Sequence, residues 1–406
     1  MQNLTPQQAQ ALWDAGGFTI LPDLPEGSEY GLDGTYHTIR KSFTGSKFVP
    51  PGLHLITISP ASPGRSSSSS LGPGAIPLRS GILIHLRPRE RLVLSYDTGT
   101  ESLAYTSSDT SMISDDHLRS LDPGLAAYPF DGLDAWKSLT NSISEDVVLE
   151  VLGPRGIGVD GMRGVEGDKD DLAVSGHPEG VGVQDGGGKM RFVHFDLRRS
   201  WRDGAVGEEL TRWARDKSWL LASVLEGVGQ DPLTLLGHLQ LAFILLLHLS
   251  SPSSLTVYKR LFSLLCRSTN IHVQPLEHLP APLHAGLRAL YISFIAAFTA
   301  QIQALPDGVF DTELPELDVW YNEELEALRG NISRAMGEAD GLWADGEARK
   351  ELRVGWEGMR VVARRKFGWE IGELQSLAQL FDGLGEEDED EDGEYAPVVV
   401  DVPDDL

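Results

Sequence analysis

Three histidines, His37, His54 and His85, fall in or beside a β-prone stretch that also carries many Asp and Ser residues, the raw material of a His–carboxylate hydrolytic site. A hydrolase using His54 or His85 with a neighbouring carboxylate in a sandwich cleft is the enzyme reading these residues allow. Their spacing carries no triad or metal-ligand signature, and isolated strand histidines are as a rule hydrogen-bonded structural residues. Walker loop, G-x-S-x-G elbow, H-E-x-x-H and C-x-x-C are all missing. GPRGIGVDG at Gly153 to Gly161 imitates part of a phosphate loop, but no helix is expected to open there and a Gly-rich stretch makes such strings by chance. Cys266, the one cysteine, sits beside Leu264 and Leu265 and reads as a buried thiol; an intramolecular disulfide framework is excluded. Arg364, Arg365 and Lys366, followed by Phe367 and Trp369, have the types that touch RNA phosphates and bases. They read instead as a basic complement to a helix C-terminus. No cofactor, metal or small-molecule substrate is expected.

The elements that would hold these residues divide the chain in two. Of 406 residues, enough for two or three domains, 41% are hydrophobic and 23% charged, ordinary globular proportions. After a helix expected at Thr5 to Ala15 come short β-prone runs at 18–21, 53–58, 81–86, 91–96 and 102–106, punctuated by Pro and Gly. ILIHL and LVLSY, joined by RPRE, read as an antiparallel hairpin, and the whole as an antiparallel β-sandwich-like domain over 1–152. Arg65 and its five serines read as a surface loop. Leu133, Trp136, Leu139 and Ile143 share a helical face. Residues 153–190, with 12 glycines between 153 and 188, read as a flexible interdomain linker.

From 191 to 385 the pattern predicts an all-helical domain, entered through an extended Arg191–Leu197. One amphipathic helix is expected through Leu210, Trp213, Leu221 and Leu225, then others opened by Pro232, Ser253 and Pro282, and two more over 315–336 and 342–366. Leu233 to Leu249 is the most apolar stretch; seventeen residues rise only about 25 Å and would bury His238, Gln240 and His248 in lipid, so a core helix is expected rather than a membrane span. Ser251-Pro252 reads either as a helix start or as a proline-directed phosphorylation site. With no signal-peptide pattern at the start, the chain is expected to be soluble and unsecreted.

Sixty Asp and Glu against 34 Lys and Arg give a net charge of −26, the wrong sign for free-standing binding to nucleic acid or anionic membrane. A protein partner fits better. The end, 386–406, is an acidic tail: eight of the nine residues Glu386 to Glu394 are acidic, and a β-prone segment follows. In an extended chain Val398, Val400 and Val402 face one side and Val399 and Asp401 the other, with Pro397 and Pro403 limiting the strand. Pro397, Val398, Val399, Val400, Asp401 and Val402 are therefore the candidate partner-binding residues, adding a strand to an exposed sheet edge of another protein. The rival is pairing with the chain's own β-domain.

Taken in order, GFTILPDLPEGSEYGLD at Gly17, KFVPPGLHLI at Lys47, the YPF…WKSLTNSI segment from Tyr128 to Ile143, TRWARDKSWLL at Thr211, HLQLAFILLL at His238, YKRLFSLLCRS at Tyr258, RRKFGWEI at Arg364 and YAPVVVDVP at Tyr395 resemble the A1-cistron splicing factor family. The serine run, the Gly/Asp stretch and the acid run depart from it. The resemblance implies a β-sandwich joined to a helical domain, and a non-enzymatic assembly factor of the U-five small nuclear ribonucleoprotein. It further implies binding to the large spliceosomal scaffold protein through that protein's RNase H-like and deubiquitinase-like domains, with U-five RNA met only through the particle, until exchange for an RNA helicase. A cytoplasmic and nuclear location is expected. A trafficking or ubiquitin-pathway adaptor is a third reading of the same architecture.

Overall fold

Asp33 and Gly34 both have positive φ, 51° and 80°, the signs required by a two-residue type I′ turn, and they close the first hairpin of the sequence. The computed structural model describes residues 12–60, 79–105, 113–154, 158–166, 188–229, 231–312 and 314–375. Its ten strands are β1 (Gly17–Ile20), β2 (Glu29–Leu32), β3 (Thr35–Thr38), β4 (Gly45–Val49), β5 (Gly52–Ser59), β6 (Ser80–Leu86), β7 (Arg91–Asp97), β8 (Ser102–Tyr105), β9 (Leu125–Ala127) and β10 (Gly158–Asp160). They form two five-stranded sheets, ordered β8-β7-β1-β4-β9 and β10-β6-β5-β2-β3. The second sheet is antiparallel throughout; the first is mixed, because β7 and β9 run parallel to their neighbours β1 and β4.

The hairpin expected between residues 81–86 and 91–96 does not form. β6 pairs with β5 and β10 in the second sheet, while β7 pairs with β1 and β8 in the first. The connection crosses between sheets, with Arg89 at φ 60° and the Glu90 carboxylate accepting the Arg87 N–H. Burial explains the choice. In β7 only Leu92 and Leu94 are buried, a one-sided alternation, whereas in β6 Ile82, Leu83 and Ile84 are buried in succession. Ile82, Ile84 and Leu86 face the sandwich interior, and Leu83, with Leu53 and Leu55 of β5, faces a layer of helices on the other side.

That layer starts with α2 (Leu133–Thr140) and α3 (Glu145–Leu152), after a short α1 (Asp115–Leu121). The remaining helices are α4 (Glu208–Arg215), α5 (Ser218–Gly227), α6 (Pro232–Leu249), α7 (Pro252–Cys266), α8 (Asn270–Val273), α9 (His284–Ala304), α10 (Val309–Thr312), α11 (Pro315–Ala335) and α12 (Gly346–Phe367). The single helix expected through Leu210 and Leu225 is broken into α4 and α5 at Asp216. Its carboxylate accepts the backbone N–H of Ser218, Thr269 and Asn270, so a chain contact 53 residues away outweighs helical continuation. Ser251 caps α7 by accepting the Ser254 N–H and is buried, which supports the helix-start reading of Ser251-Pro252.

One hydrophobic core runs from Leu53, Leu55 and Leu83 of the second sheet through Trp136, Val147 and Val151 into the helical half. The expected linker is anchored within it. β10 extends the second sheet, Val165 bridges Met190, and Val159, Val165 and Met190 are buried. A Cβ at Gly161 would lie 2.2 Å from the Leu249 carbonyl oxygen, so this segment rests directly on the end of α6. These few apolar residues all join the continuous core. The helix expected before Leu12, the serine run, residues 167–187 and everything after 375 lie outside the described residues.

Helices α6 and α9 are long and apolar enough to cross a bilayer, but 89% of the α6 window is buried inside the protein. By urea unfolding, Phe243→Ala, at 0% exposure, should cost about 3–5 kcal/mol and Met190→Ala about 2–5 kcal/mol. Deleting ten residues within 167–187 should change stability by less than about 1 kcal/mol.

Candidate partner-binding site

The hydrolase reading can be weighed atom by atom. The hairpin turn places the Asp33 carboxylate against β5, where Oδ2 lies 2.6 Å from His54 Nδ1 and Oδ1 accepts the Leu55 N–H at 2.9 Å. Tyr128 Oη donates to Oδ2 at 2.7 Å, and His54 Nε2 lies 2.6 Å from the Pro50 carbonyl oxygen. A carboxylate and a carbonyl only accept, so both ring nitrogens donate and neither is left to act as a base. Both side chains are 2% exposed. This is a buried lock joining β2–β3, β5 and the segment after β9, which speaks against the alternative reading of His54 as a hydrolase residue. His37 is exposed on edge strand β3, and His85 stands opposite Leu53 in the β5–β6 ladder. Neither meets His54 in a cleft.

The three buried polar side chains of α6 explain how the two regions are joined. Gln240 accepts the Ser142 N–H at 2.8 Å and donates to Asn141 Oδ1 at 2.7 Å, gripping the α2–α3 turn. Gly237 allows this approach, since a Cβ there would sit 2.4 Å from the Ser142 oxygen. His248 Nδ1 is 2.7 Å from Tyr36 Oη, while Arg79 lies 3.7 Å over the Tyr36 ring and pairs with Glu29. His238 Nδ1 accepts the Val193 N–H at 3.5 Å, and its Nε2 lies 3.8 Å from the exposed Glu150 carboxylate. Burial pulls the His238 pKa down to about 4; burial, then Arg79, pulls His248 down to about 3. Burial also holds His272, whose Nδ1 accepts from Trp343, down to about 3.

Concave and exposed surfaces lie elsewhere. A cleft of about 900 Å³ opens between the end of α3, residues 191–203 and α5, with Phe192, Phe195, Trp201 and Trp219 on its walls and Arg191, Arg199, Glu150 and Asp203 among its charges. None of the three β-region histidines lines it. Strands β3 and β10 are the outer strands of one sheet and β8 and β9 of the other, each only three or four residues long. On α12, Val354 and Val361 are 68% and 46% exposed. Cys266 is buried, and burial raises its thiol well above the usual range. Lys366 donates to the Gln303 and Leu305 carbonyls at the end of α9, so its cap serves a neighbouring helix rather than its own. Phe367 and Trp369 pack on Phe310 inside the fold, not as a stacking platform for bases.

This architecture has relatives. Residues 15–153 match the AAR2 N-terminal domain, and residues 192–372 match the AAR2 C-terminal repeat region. The chain belongs to the AAR2 splicing factor family. Human Protein AAR2 homolog is 26% identical over 98% of this chain and 97% of its own length. The mouse homolog is 28% identical over 76% and 80%, and the Caenorhabditis elegans homolog 27% over 36% and 38%. Residues 154–191, between the two matched regions, include β10 and Met190, which join the core shared by both.

The candidate residues Pro397 to Val402 lie outside the described residues. The structure does give the platform from which the tail departs. Ile371 and Gly372 accept from Arg360 Nε and Trp356 Nε1, and Gln375 N donates to Ser333 Oγ. Sequence reasoning missed the Asp33 lock and the role of the α6 polar side chains. The Asp-Gly pair flanked by strand residues signalled the first; polar residues on an otherwise apolar helix signalled the second.

Asp33→Ala should cost about 3–5 kcal/mol in urea unfolding, because it leaves a buried donor ring without its carboxylate. Histidines 238, 248 and 272 are neutral when folded and protonate below about pH 6.5 when unfolded, so the unfolded state binds more protons on acidification. Stability should be fully present above pH 6.5 and fall as pH drops toward 4, by roughly 1.4 kcal/mol per pH unit for each histidine. His272→Phe should flatten that slope in pH-resolved unfolding curves.

Proposed function

We propose that this chain acts as a non-enzymatic assembly factor in U-five small nuclear ribonucleoprotein biogenesis. It binds the large spliceosomal scaffold protein, through that protein's RNase H-like and deubiquitinase-like domains, and holds a precursor particle until exchange for the RNA helicase. U-five RNA is met through the particle and not by direct contact, and the protein works in cytoplasm and nucleus. The observation that carries this reading is the similarity to the AAR2 family over nearly the whole chain, in a molecule whose β-sandwich and helical region share one core. Such a body offers broad rigid faces to a large partner. The sealing of His54 and Asp33 favours it over a hydrolase using that pair, since a reacting substrate has no path to the ring.

Within this reading the segment Pro397 to Val402 adds a strand to a sheet edge of the scaffold, with the acidic run as tether. Four or five backbone hydrogen bonds at roughly 1 kcal/mol net each, with three valines partly covered, exceed the ordering cost only modestly. The tail contributes chiefly through effective concentration. Deleting residues 395–406 should lower the melting temperature by no more than about 2 °C and weaken scaffold binding at least tenfold by surface plasmon resonance. Unchanged affinity would sink the strand-addition reading, and a larger fall in melting temperature would indicate a strand built into the chain's own β-domain.

A further inference from the structure

Helix α12 is the basic exception in an acidic protein. Between Gly346 and Phe367 it carries seven Lys and Arg against three Glu, while the chain as a whole is at −26. Its outward face presents Lys350, Val354, Gly358, Val361 and Arg365 at helical spacings of three and four, so they form one stripe. All five are exposed. Lys350, Arg353 and Arg365 have no carboxylate within salt-bridge distance among the described residues; of the three glutamates on the helix Glu357 is paired with Arg360, while Glu347 and Glu351 lie exposed beside the stripe and leave it a net positive charge. In the stretch 191–215, Arg191, Arg199, Arg202 and Arg212 are each paired to an acidic residue, while Arg198 and Arg215 are exposed without such a pair among the described residues. Gly358 sits mid-helix with nothing within 4 Å of a Cβ built there. An exposed helical glycine costs about 1 kcal/mol relative to alanine, and nothing within the described molecule compensates for it. It does allow another backbone to come close.

We infer that this face is the docking site of the chain's own C-terminal segment, residues 386–402. The segment has the complementary composition. Residues 376–406 carry twelve Asp and Glu and no Lys or Arg, with Val398, Val399, Val400 and Val402 after the acid run. Residues 371 and 372 run back along the buried side of α12 from Arg360 to Trp356, and Glu373 and Gln375 then meet Arg329 and Ser333 of α11, so the chain beyond 375 has to cross from α11 to reach the outer face of α12. The ten residues 376–385 span up to about 33 Å when extended, the length of the 22-residue helix at 1.5 Å per residue. Acidic side chains then meet Lys350, Arg353 and Arg365, and the valines cover Val354 and Val361 across Gly358. Docking shelters the β-prone segment in the absence of a partner. That protective consequence rests on the proposed strand addition, whereas the docking itself does not.

Zero-length carbodiimide cross-linking of the full chain alone, read by mass spectrometry, tests the docking without any scaffold present. The Lys47–Asp122 pair at 2.7 Å is the internal control. The expected result is a cross-link from Lys350 to a carboxylate within 386–394. Raising salt to half molar, or the double change Arg353→Glu and Arg365→Glu, should reduce its yield at least fivefold and leave the Lys47–Asp122 product unchanged. Absence of the Lys350 product while the control forms overturns the inference, as does a tail that couples instead to Lys189 or Lys217. An equal mixture of light and heavy isotope-labelled chains distinguishes copies: products confined to one label support docking within the chain, and mixed products overturn it in favour of a second copy. Loss of scaffold binding on tail deletion together with no Lys350 product would leave the assembly reading standing and remove the docking.

Discussion

Helix α6 must be buried on every side, and that requirement organises the rest of the molecule. Sixteen of its eighteen residues are buried, so no face is left for solvent and neighbours must surround it completely. The other helices cover part of it. The remainder is closed by α2, α3, the first part of the supposed linker at Gly161 and the β2–β3 hairpin. The two regions are thus not beads on a string. Removing either would expose apolar surface of the other, which is why one hydrophobic cluster extends from β5 to Leu374.

Burial on this scale forces each polar group on α6 to find a partner or stay neutral. Gln240 finds two in the α2–α3 turn, and His248 finds the Tyr36 hydroxyl; the imidazoles remain uncharged because the interior disfavours the cation. The same logic reads the Asp33–His54 pair. A carboxylate next to an imidazole is the shape of catalytic chemistry, but here every accepting and donating position is engaged and water has no approach. Such a pair fixes the position of the hairpin, and the hairpin in turn delivers Gly34 and Tyr36 to the end of α6.

Charge is distributed as unevenly as burial. Twelve of the sixty acidic residues belong to the last 31 positions, while the strongest local excess of positive charge is on α12, whose buried side carries residues 371 and 372. Charge separation within one chain provides long-range attraction that salt can weaken, and it gives a tethered segment a resting place without a deep pocket. A protein that works by surface contact has use for this kind of reversible cover.

Local patterning placed the five long helices between 232 and 367 to within four residues, though not the short α8 and α10, because proline, serine and aspartate caps and a period near 3.6 act within a few positions of one another. Composition alone likewise placed strands first and helices second, and eight ordered motifs pointed to the family. Partner choice was another matter. Nothing in GILIHL or RLVLSY says which sheet each will join: a continuous apolar run means two covered faces, and the second cover is a helix 50 residues later in the sequence. Asp216 breaks a helix for the sake of amides near residue 270, and Val159, Val165 and Met190 anchor a glycine-rich stretch whose composition predicted freedom. These features depend on contacts between distant segments. Sequence periodicity reports the neighbours along a strand or helix, and only the folded chain decides which surfaces those neighbours will bury.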